Sequence, residues 1–216
     1  MAGVRGVPPG RAGRLWLQRR LVVARRSAAL LDQKLRILLH EQERFALLVG
    51  RTGPEWSQRC REAEIWLLRS CLIGGQRALR HATDGERAEV TVGWAGAMGL
   101  RYPSEASYRA PAPDTGGDSG TGATTGAAVQ QTSAAHRLAL DAAVRHAAAQ
   151  AALRAIEAEM AATRRRLRAV EDRWIPRLES TLAAVLLELA EAERSEGVRL
   201  RWAADTVDEP AGGERR

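Results

Sequence analysis

Lysine is almost missing from this sequence: Lys34 is the only one in 216 residues. A phosphate-binding loop of the Walker type needs a lysine at the end of a glycine-rich turn. The one glycine cluster, residues 116–122, contains no lysine. The four histidines are scattered, with no pair three or four residues apart, which argues against a metal site on a helix. We therefore expect a protein that is not an enzyme and that binds no cofactor and no metal.

Long apolar runs are also missing. The sequence has no stretch of about 18 apolar residues, the length that a membrane-spanning helix needs. It also has no apolar segment after the basic start, which a secretory signal requires. Cys60 and Cys71 are eleven residues apart on a predicted helix, about 16 Å along its axis, which is too far for a disulfide. Reduced thiols are the default in the cytosol. We therefore expect a soluble, cytoplasmic chain without direct membrane insertion.

A seven-residue apolar repeat is the strongest pattern that is present. Near the start, apolar positions alternate four and three residues apart, the spacing that keeps one row of side chains facing a partner helix. We call such a row a seam. Its members are Leu17, Leu21, Ala24, Ala28, Leu31, Leu35, Leu38, Gln42, Phe45 and Val49.

A second seam near the other end carries the same spacing, with one extra residue after Val170. Its members are Leu153, Ile156, Met160, Thr163, Leu167, Val170, then Ile175, Leu178, Leu182, Val185, Leu189 and Ala192. Two long helices that both need a partner most simply pair antiparallel with each other. Pro176 lies inside the second helix and should bend it. The predicted fold is mainly α: a long, bent, antiparallel two-helix coiled coil.

Composition divides the chain into six predicted regions. The proposed order is an extended lead-in (1–10), an N-terminal coiled-coil arm (11–84), a small central region (85–109), a flexible Gly/Pro/Ser/Thr linker (110–132), a C-terminal coiled-coil arm (133–204) and a disordered tail (205–216). Within the first arm, residues 51–54 read Arg-Thr-Gly-Pro and predict either a kink or a loop. In the central region, Val90 and Val92 alternate with polar neighbours among glycines, which predicts a short β-hairpin.

Charge is distributed unevenly. The net charge is +7, and residues 1–31 contain seven arginines and no acidic residue. Four interpretations follow: a surface for nucleic acid or an anionic membrane, a transit peptide, a basic face for an acidic protein partner, or a solvated helix face. The transit peptide is disfavoured because the seam already begins at Leu17, and a removable segment has no reason to carry core positions.

Three segments resemble the D subunit of the V/A-type rotary ATPases, in the order found in that family. The opening reads Val7-Pro8-Pro9-Gly10-Arg11, followed by Leu15, Arg19-Arg20-Leu21, Ala24 and Leu30-Leu31-Asp32-Gln33-Lys34. The centre reads Ala97-Met98-Gly99-Leu100 with Pro103. The last segment has Arg164-Arg165-Arg166-Leu167-Arg168-Ala169-Val170-Glu171, Ile175-Pro176-Arg177-Leu178, Thr181, Leu189, Glu193-Arg194 and Arg199-Leu200. Gly10, Asp32 and Arg168 depart from the family pattern, and the glycine-rich insert is longer than usual.

The resemblance implies a non-catalytic central rotor stalk protein that transmits torque between a catalytic hexamer and an ion-translocating membrane rotor. Its implied partners are the catalytic A and noncatalytic B subunits, the F subunit beside the central region, and a connecting subunit of the membrane rotor. The implied location is cytoplasmic and peripheral to the membrane. We expect Leu21, Leu31, Leu35, Leu178, Leu182 and Leu189 to hold the coiled coil. We expect Arg11, Arg19, Arg20, Arg25 and Arg26 to face the hexamer.

A second function class stays open at this point: a basic coiled-coil protein that binds nucleic acid or an anionic membrane surface. The stalk interpretation expects no nucleic acid partner. Binding to nucleic acid that falls steeply with salt concentration would favour the alternative, since phosphate contacts release counterions.

Overall fold

Long helices and one hairpin make up the computed structural model, which describes residues 6–81, 87–110 and 126–208. The elements are helix α1 (Gly10–His81), strands β1 (Glu89–Ala97) and β2 (Leu100–Arg109), helix α2 (Ala127–Arg168), a π-helical turn (Ala169–Trp174) and helix α3 (Ile175–Asp208). The predicted mainly α fold with a central β-hairpin is confirmed. Helix α2 begins at Ala127, six residues before the predicted start of the second arm. Residues 1–5, 82–86, 111–125 and 209–216, which hold most of the predicted linker and tail, lie outside the described residues.

Helix α1 passes through residues 51–54 without a loop. Pro54 lies inside the helix, and Thr52 beside it is buried. Because the turn that contains Thr52 is packed in the interior, α1 stays helical here, although Pro54 has no N–H and makes one backbone hydrogen bond fewer. The backbone departs from helical angles at Gly75 instead (φ 67°, ψ 173°). A positive φ of this kind is favourable only for glycine, so the kink in α1 occurs at a glycine.

The chain forms two compact units. The first contains residues 1–33 and 163–216, and the second contains residues 34–162. The core of the first unit is a buried apolar cluster of Leu17, Leu21, Ala24 and Leu178. Two ion pairs show that its helices run antiparallel: Arg11 contacts Glu193, whereas Arg25, further along α1, contacts the earlier Glu179.

Two residues that precede α1, Val7 and Pro8, lie against the first turns of this helix. Val7 packs against the buried cluster of this unit, and Gly13 is itself buried. A Cβ atom placed on Gly13 would lie 2.0 Å from the carbonyl oxygen of Pro8, closer than any side chain could approach. Gly13 therefore permits Val7 and Pro8 to lie against the beginning of the helix.

The second unit has its own core, in which the hairpin packs on α1 and α2. Leu38, Phe45, Tyr102, Ala152, Ile156 and Met160 form the buried cluster. Phe45 and Tyr102 meet edge to face, with ring centroids 5.3 Å apart. Ala95, Ala97 and Leu100 pack against the same cluster. The alternation of the strands thus places one face of the hairpin on the helices.

The hairpin turns at Met98 and Gly99, which both have positive φ (50° and 82°). Two such residues give a turn whose twist matches that of the two strands. The pairing is antiparallel and shifts register between Gly93 and Trp94, so that Ser104 is the extra residue on β2. Pro103, which has no N–H to donate, lies beside this bulge, a position that strands tolerate.

The hydroxyl of Tyr102 should make the second unit sensitive to alkaline pH. Burial raises the pKa of this phenol, and its hydrogen bond to Glu41 (3.1 Å) raises the pKa further. The unfolded chain loses the Tyr102 proton first, so this stabilising contribution is complete below about pH 10 and is lost as pH rises through the folded pKa. We expect the melting temperature of the wild type to fall more steeply above pH 10 than that of Tyr102→Phe, measured by circular dichroism from pH 8 to 11.

Tyr108→Phe is the matched control, because it removes the other phenolic hydroxyl and leaves Tyr102 in place. It should retain the wild-type loss of stability at high pH. Parallel curves for the wild type and Tyr102→Phe would contradict the role given to this hydroxyl.

Candidate functional site

The five arginines predicted to face a partner lie on the surface of the first unit, on the N-terminal part of α1. All five are exposed: Arg11, Arg19, Arg20, Arg25 and Arg26. Arg19, Arg20, Arg25 and Arg26 lie in the same helical turns as the buried Leu17, Leu21 and Ala24, and Arg11 lies one to two turns earlier. We call these five residues the arginine surface.

Two members of the arginine surface are paired within the chain. Arg11 contacts Glu193 at 3.4 Å, and Arg25 contacts Glu179 at 2.8 Å. These side chains are 46% to 83% exposed, so each pair is worth about 1 kcal/mol or less. The pairs mark the alignment of the two helices and contribute little to stability.

The other three members, Arg19, Arg20 and Arg26, are not held in such ion pairs within the part of the chain that the structure describes. The Arg20 guanidinium lies 4.9 Å from the ring centre of Trp16. Arg19 and Arg26 make no ion pair with any residue in the described ranges. Large apolar side chains are exposed beside them on α1: Leu15, Val22, Val23 and Leu30 are 55% to 65% exposed. Arginine next to exposed apolar side chains can bind another protein through both charge and apolar contact.

The predicted seam residues are distributed between the two units. In the first unit, Leu21 and Leu178 are buried in one cluster, and Leu182 packs against it. In the second unit, Leu35 packs against the buried cluster. Leu31 and Leu189 are half-buried.

A buried polar group in the second unit was not expected from the sequence. His146 lies on α2 with its Nδ1 atom 2.9 Å from the hydroxyl of Thr52 and its Nε2 atom 2.9 Å from the amide nitrogen of Gln150. The Thr52 hydroxyl also lies 2.9 Å from the carbonyl oxygen of Leu48. A neutral imidazole with its proton on Nδ1 satisfies all of these contacts: Gln150 donates to His146, His146 to Thr52, and Thr52 to Leu48.

The position of His146 on the seam could have revealed this group. Extending the second seam upstream from Leu153 in steps of four and three reaches Ala149, His146, Ala142 and Ala139, all of which are buried. The small residue Gly53 faces the imidazole, and a Cβ atom there would lie 3.2 Å from its Cε1 atom. Trp56 stacks on the ring with centroids 5.4 Å apart. A histidine among alanines at seam positions is therefore a core residue here.

The described residues contain no group of three or more histidine, cysteine or acidic side chains that could hold a metal ion. Lys34 forms a half-buried ion pair with Glu159 at 2.6 Å, within the second unit. Cys60 and Cys71 are free thiols. In the described parts of the chain, no helix is long and apolar enough to cross a membrane.

These features define a protein built from long paired helices, with exposed arginine and apolar side chains on α1. Comparison with known proteins assigns it more narrowly. The sequence model of the ATP synthase D-subunit family matches residues 15–205, and the chain belongs to this family. It is 29% identical over 205 residues to the A-type ATP synthase D subunit of Methanopyrus kandleri, a match that covers 94% of this chain and 87% of that protein. Membership in the family supports a stalk component of a rotary ATPase.

Truncation of a fully buried seam leucine should destabilise the chain. Leu178 has no exposed surface, whereas Leu187, also on α3, is 58% exposed. Leu178→Ala removes buried methyl groups and leaves a cavity, which costs about 2–5 kcal/mol. We expect its melting temperature to fall by roughly 5–15 °C, and that of the matched variant Leu187→Ala to change by about 2 °C or less. Equal effects in thermal unfolding would show that Leu178 is not a core residue.

Proposed function

We propose that this chain is the central rotor stalk component of a V/A-type ATPase/ATP synthase. In this proposal it transmits torque between the catalytic A/B hexamer and the ion-translocating membrane rotor and carries out no catalysis itself. The observation that carries the proposal is the family match from residue 15 to residue 205, which includes most of α1 and all of α2.

Packing between antiparallel helices supports the mechanical part of the proposal. Torque on one helix of a unit can pass to the other only through the side chains between them. In the first unit these are the buried Leu17, Leu21 and Leu178, each worth about 1.5–3 kcal/mol of burial. In the second unit, the Lys34–Glu159 pair and the Thr52–His146 hydrogen bond add polar contacts of fixed geometry.

The exposed surfaces support the proposed partners. We assign the arginine surface to the A and B subunits, because exposed arginines without an ion pair can attract acidic groups of a partner. The outward face of β1 exposes Val90, Val92 and Trp94, which suits a protein partner, and we assign it to the F subunit. Near the end of α1, Ile65, Leu68 and Leu72 are exposed on one side of the helix, and we assign them to the connecting subunit. The complex would hold the chain on the cytoplasmic side, peripheral to the membrane.

A charge placed in the seam should uncouple rotation from ATP turnover. Leu182 packs against the buried cluster of the first unit, so Leu182→Asp places a carboxylate without a partner against apolar side chains, at a cost of several kcal/mol. The hexamer keeps its own nucleotide sites and should continue to hydrolyse ATP. We expect the number of ions pumped per ATP by the reconstituted complex to fall several-fold.

Ala183→Asp adds the same charge at the adjacent exposed position and is the matched control. It should pump nearly as many ions per ATP as the wild type. A Leu182→Asp complex that pumps as efficiently as the wild type would mean that the packing of this helix pair does not transmit torque.

The arginine surface can be tested separately by assembly. Arg19 and Arg26 make no described ion pair, so reversing their charge should affect binding to the hexamer more than folding. We expect the double variant Arg19→Glu/Arg26→Glu to bind the A/B hexamer at least about tenfold more weakly at low salt, with a smaller difference at high salt.

The matched control reverses Arg51 and Arg61 together, two exposed arginines of the second unit, and so changes the net charge by the same amount. The Arg19→Glu/Arg26→Glu variant should melt at the wild-type temperature, which separates loss of binding from loss of folding. Wild-type affinity of that variant would remove Arg19 and Arg26 from the interface.

A further inference from the structure

In the first unit, the second seam has one extra residue in its four-three spacing, whereas the facing seam on α1 has none. On α1, Leu17, Leu21, Ala24 and Ala28 are buried in unbroken steps of four and three. On the opposite side, the inward positions proceed from Thr163 through Leu167 and Val170 to Trp174, and then restart at Ile175 and continue to Leu178 and Leu182. Trp174 and Ile175 are adjacent in sequence, yet both pack against the same cluster.

The π-helical turn lies where the extra residue occurs. It spans Ala169–Trp174, and the N–H of Ile175 donates to the carbonyl oxygen of Val170, five residues earlier instead of four. A π turn accommodates one added residue within a helix. In a continuous α-helix, the same residue would rotate everything after it by about 100°. Arg177, Ala184 and Glu188, which are exposed, would then point toward α1 in place of Leu178, Val185 and Leu189.

The same turn also explains how Pro176 is tolerated. A proline in the interior of an α-helix meets the carbonyl four residues earlier and removes a hydrogen bond. Pro176 directly follows Ile175, whose N–H already bonds the carbonyl five residues earlier, so the regular four-residue hydrogen bonding is interrupted next to the proline. A residue without an N–H is therefore less disruptive there than in the middle of a regular α-helix.

We propose that the π turn is a one-residue register insert: it keeps the residues before and after it in one seam against α1, and it makes room for Pro176. The extra residue is therefore removable, whereas a residue taken from the regular part of α3 is not. Deletion of Asp172, an exposed residue of the turn, converts it to an ordinary α turn and leaves both halves of the seam in place. The inference depends on the folding of the chain alone and does not rest on the proposed stalk function.

Thermal unfolding of the full chain, followed by circular dichroism, tests this inference. In a Pro176→Ala background, deletion of Asp172 should shift the melting temperature by less than about 3 °C. Deletion of Ser180, an exposed residue of α3, should lower the melting temperature by roughly 10 °C. This deletion rotates the two sides of α3 relative to each other, so only one side can keep its apolar residues in the seam. The residues before the deletion are Ile175 and Leu178, and those after it are Leu182, Val185 and Leu189. With Pro176 present, deletion of Asp172 should lower the melting temperature by about 5–10 °C, since the proline then lies within a continuous α-helix.

Equal destabilisation by the two deletions in the Pro176→Ala background would overturn the register insert. If deletion of Asp172 leaves the melting temperature unchanged with Pro176 present, the π turn is not what makes room for this proline. Helical circular dichroism at 20 °C identifies variants that fail to fold, and a failure of the Asp172 deletion in the Pro176→Ala background would also count against the inference.

Discussion

The constraint on which the rest of the structure depends is that each helix must keep one row of side chains facing its partner over many turns. An α-helix has 3.6 residues per turn, so an apolar row stays on one side only if it advances by alternating steps of four and three. Leu17, Leu21 and Ala24 satisfy this condition in the first unit. Leu38 and Phe45, seven residues apart, satisfy it in the second. Where the spacing fails, the backbone has to change.

Small and polar residues also occupy the buried rows, and each has a partner that explains its position. Ser70 and Thr132 are buried; their hydroxyl oxygens contact each other, and both lie within hydrogen-bond distance of the carbonyl oxygen of Ala128. The buried polar pairs can form only when the two helices are correctly aligned, whereas apolar side chains accept several alignments. A polar group at such a position therefore specifies register in a way that leucine does not. Among the described residues, no buried side-chain nitrogen or oxygen is left without a hydrogen-bond partner.

Membership in the ATP synthase D-subunit family gives these helices a context. The described residues combine well-packed helix pairs with exposed arginine and apolar side chains, and they contain no metal-binding cluster. A stalk needs an interior that resists separation of its helices and an exterior that engages several partners. The arginine surface, the outward face of β1 and the group of Ile65, Leu68 and Leu72 on α1 lie on different parts of the chain, which suits proposed contacts with different subunits.

The sequence alone was sufficient for those features that depend on local periodicity. The four-three spacing predicted both long helices, and the alternation of Val90 and Val92 with polar neighbours among glycines predicted the hairpin, because side-chain direction and turn residues are local features. Residues 51–54 show the limit of this reasoning. Thr52 is buried against His146 from the other helix, and α1 continues through Pro54; no local pattern reports that contact. The sequence also showed that one residue was extra after Val170, but the Val170–Ile175 hydrogen bond shows how the backbone accommodates it. The tertiary structure decided these points because each depends on contacts between segments far apart in the chain or on the path that the backbone takes.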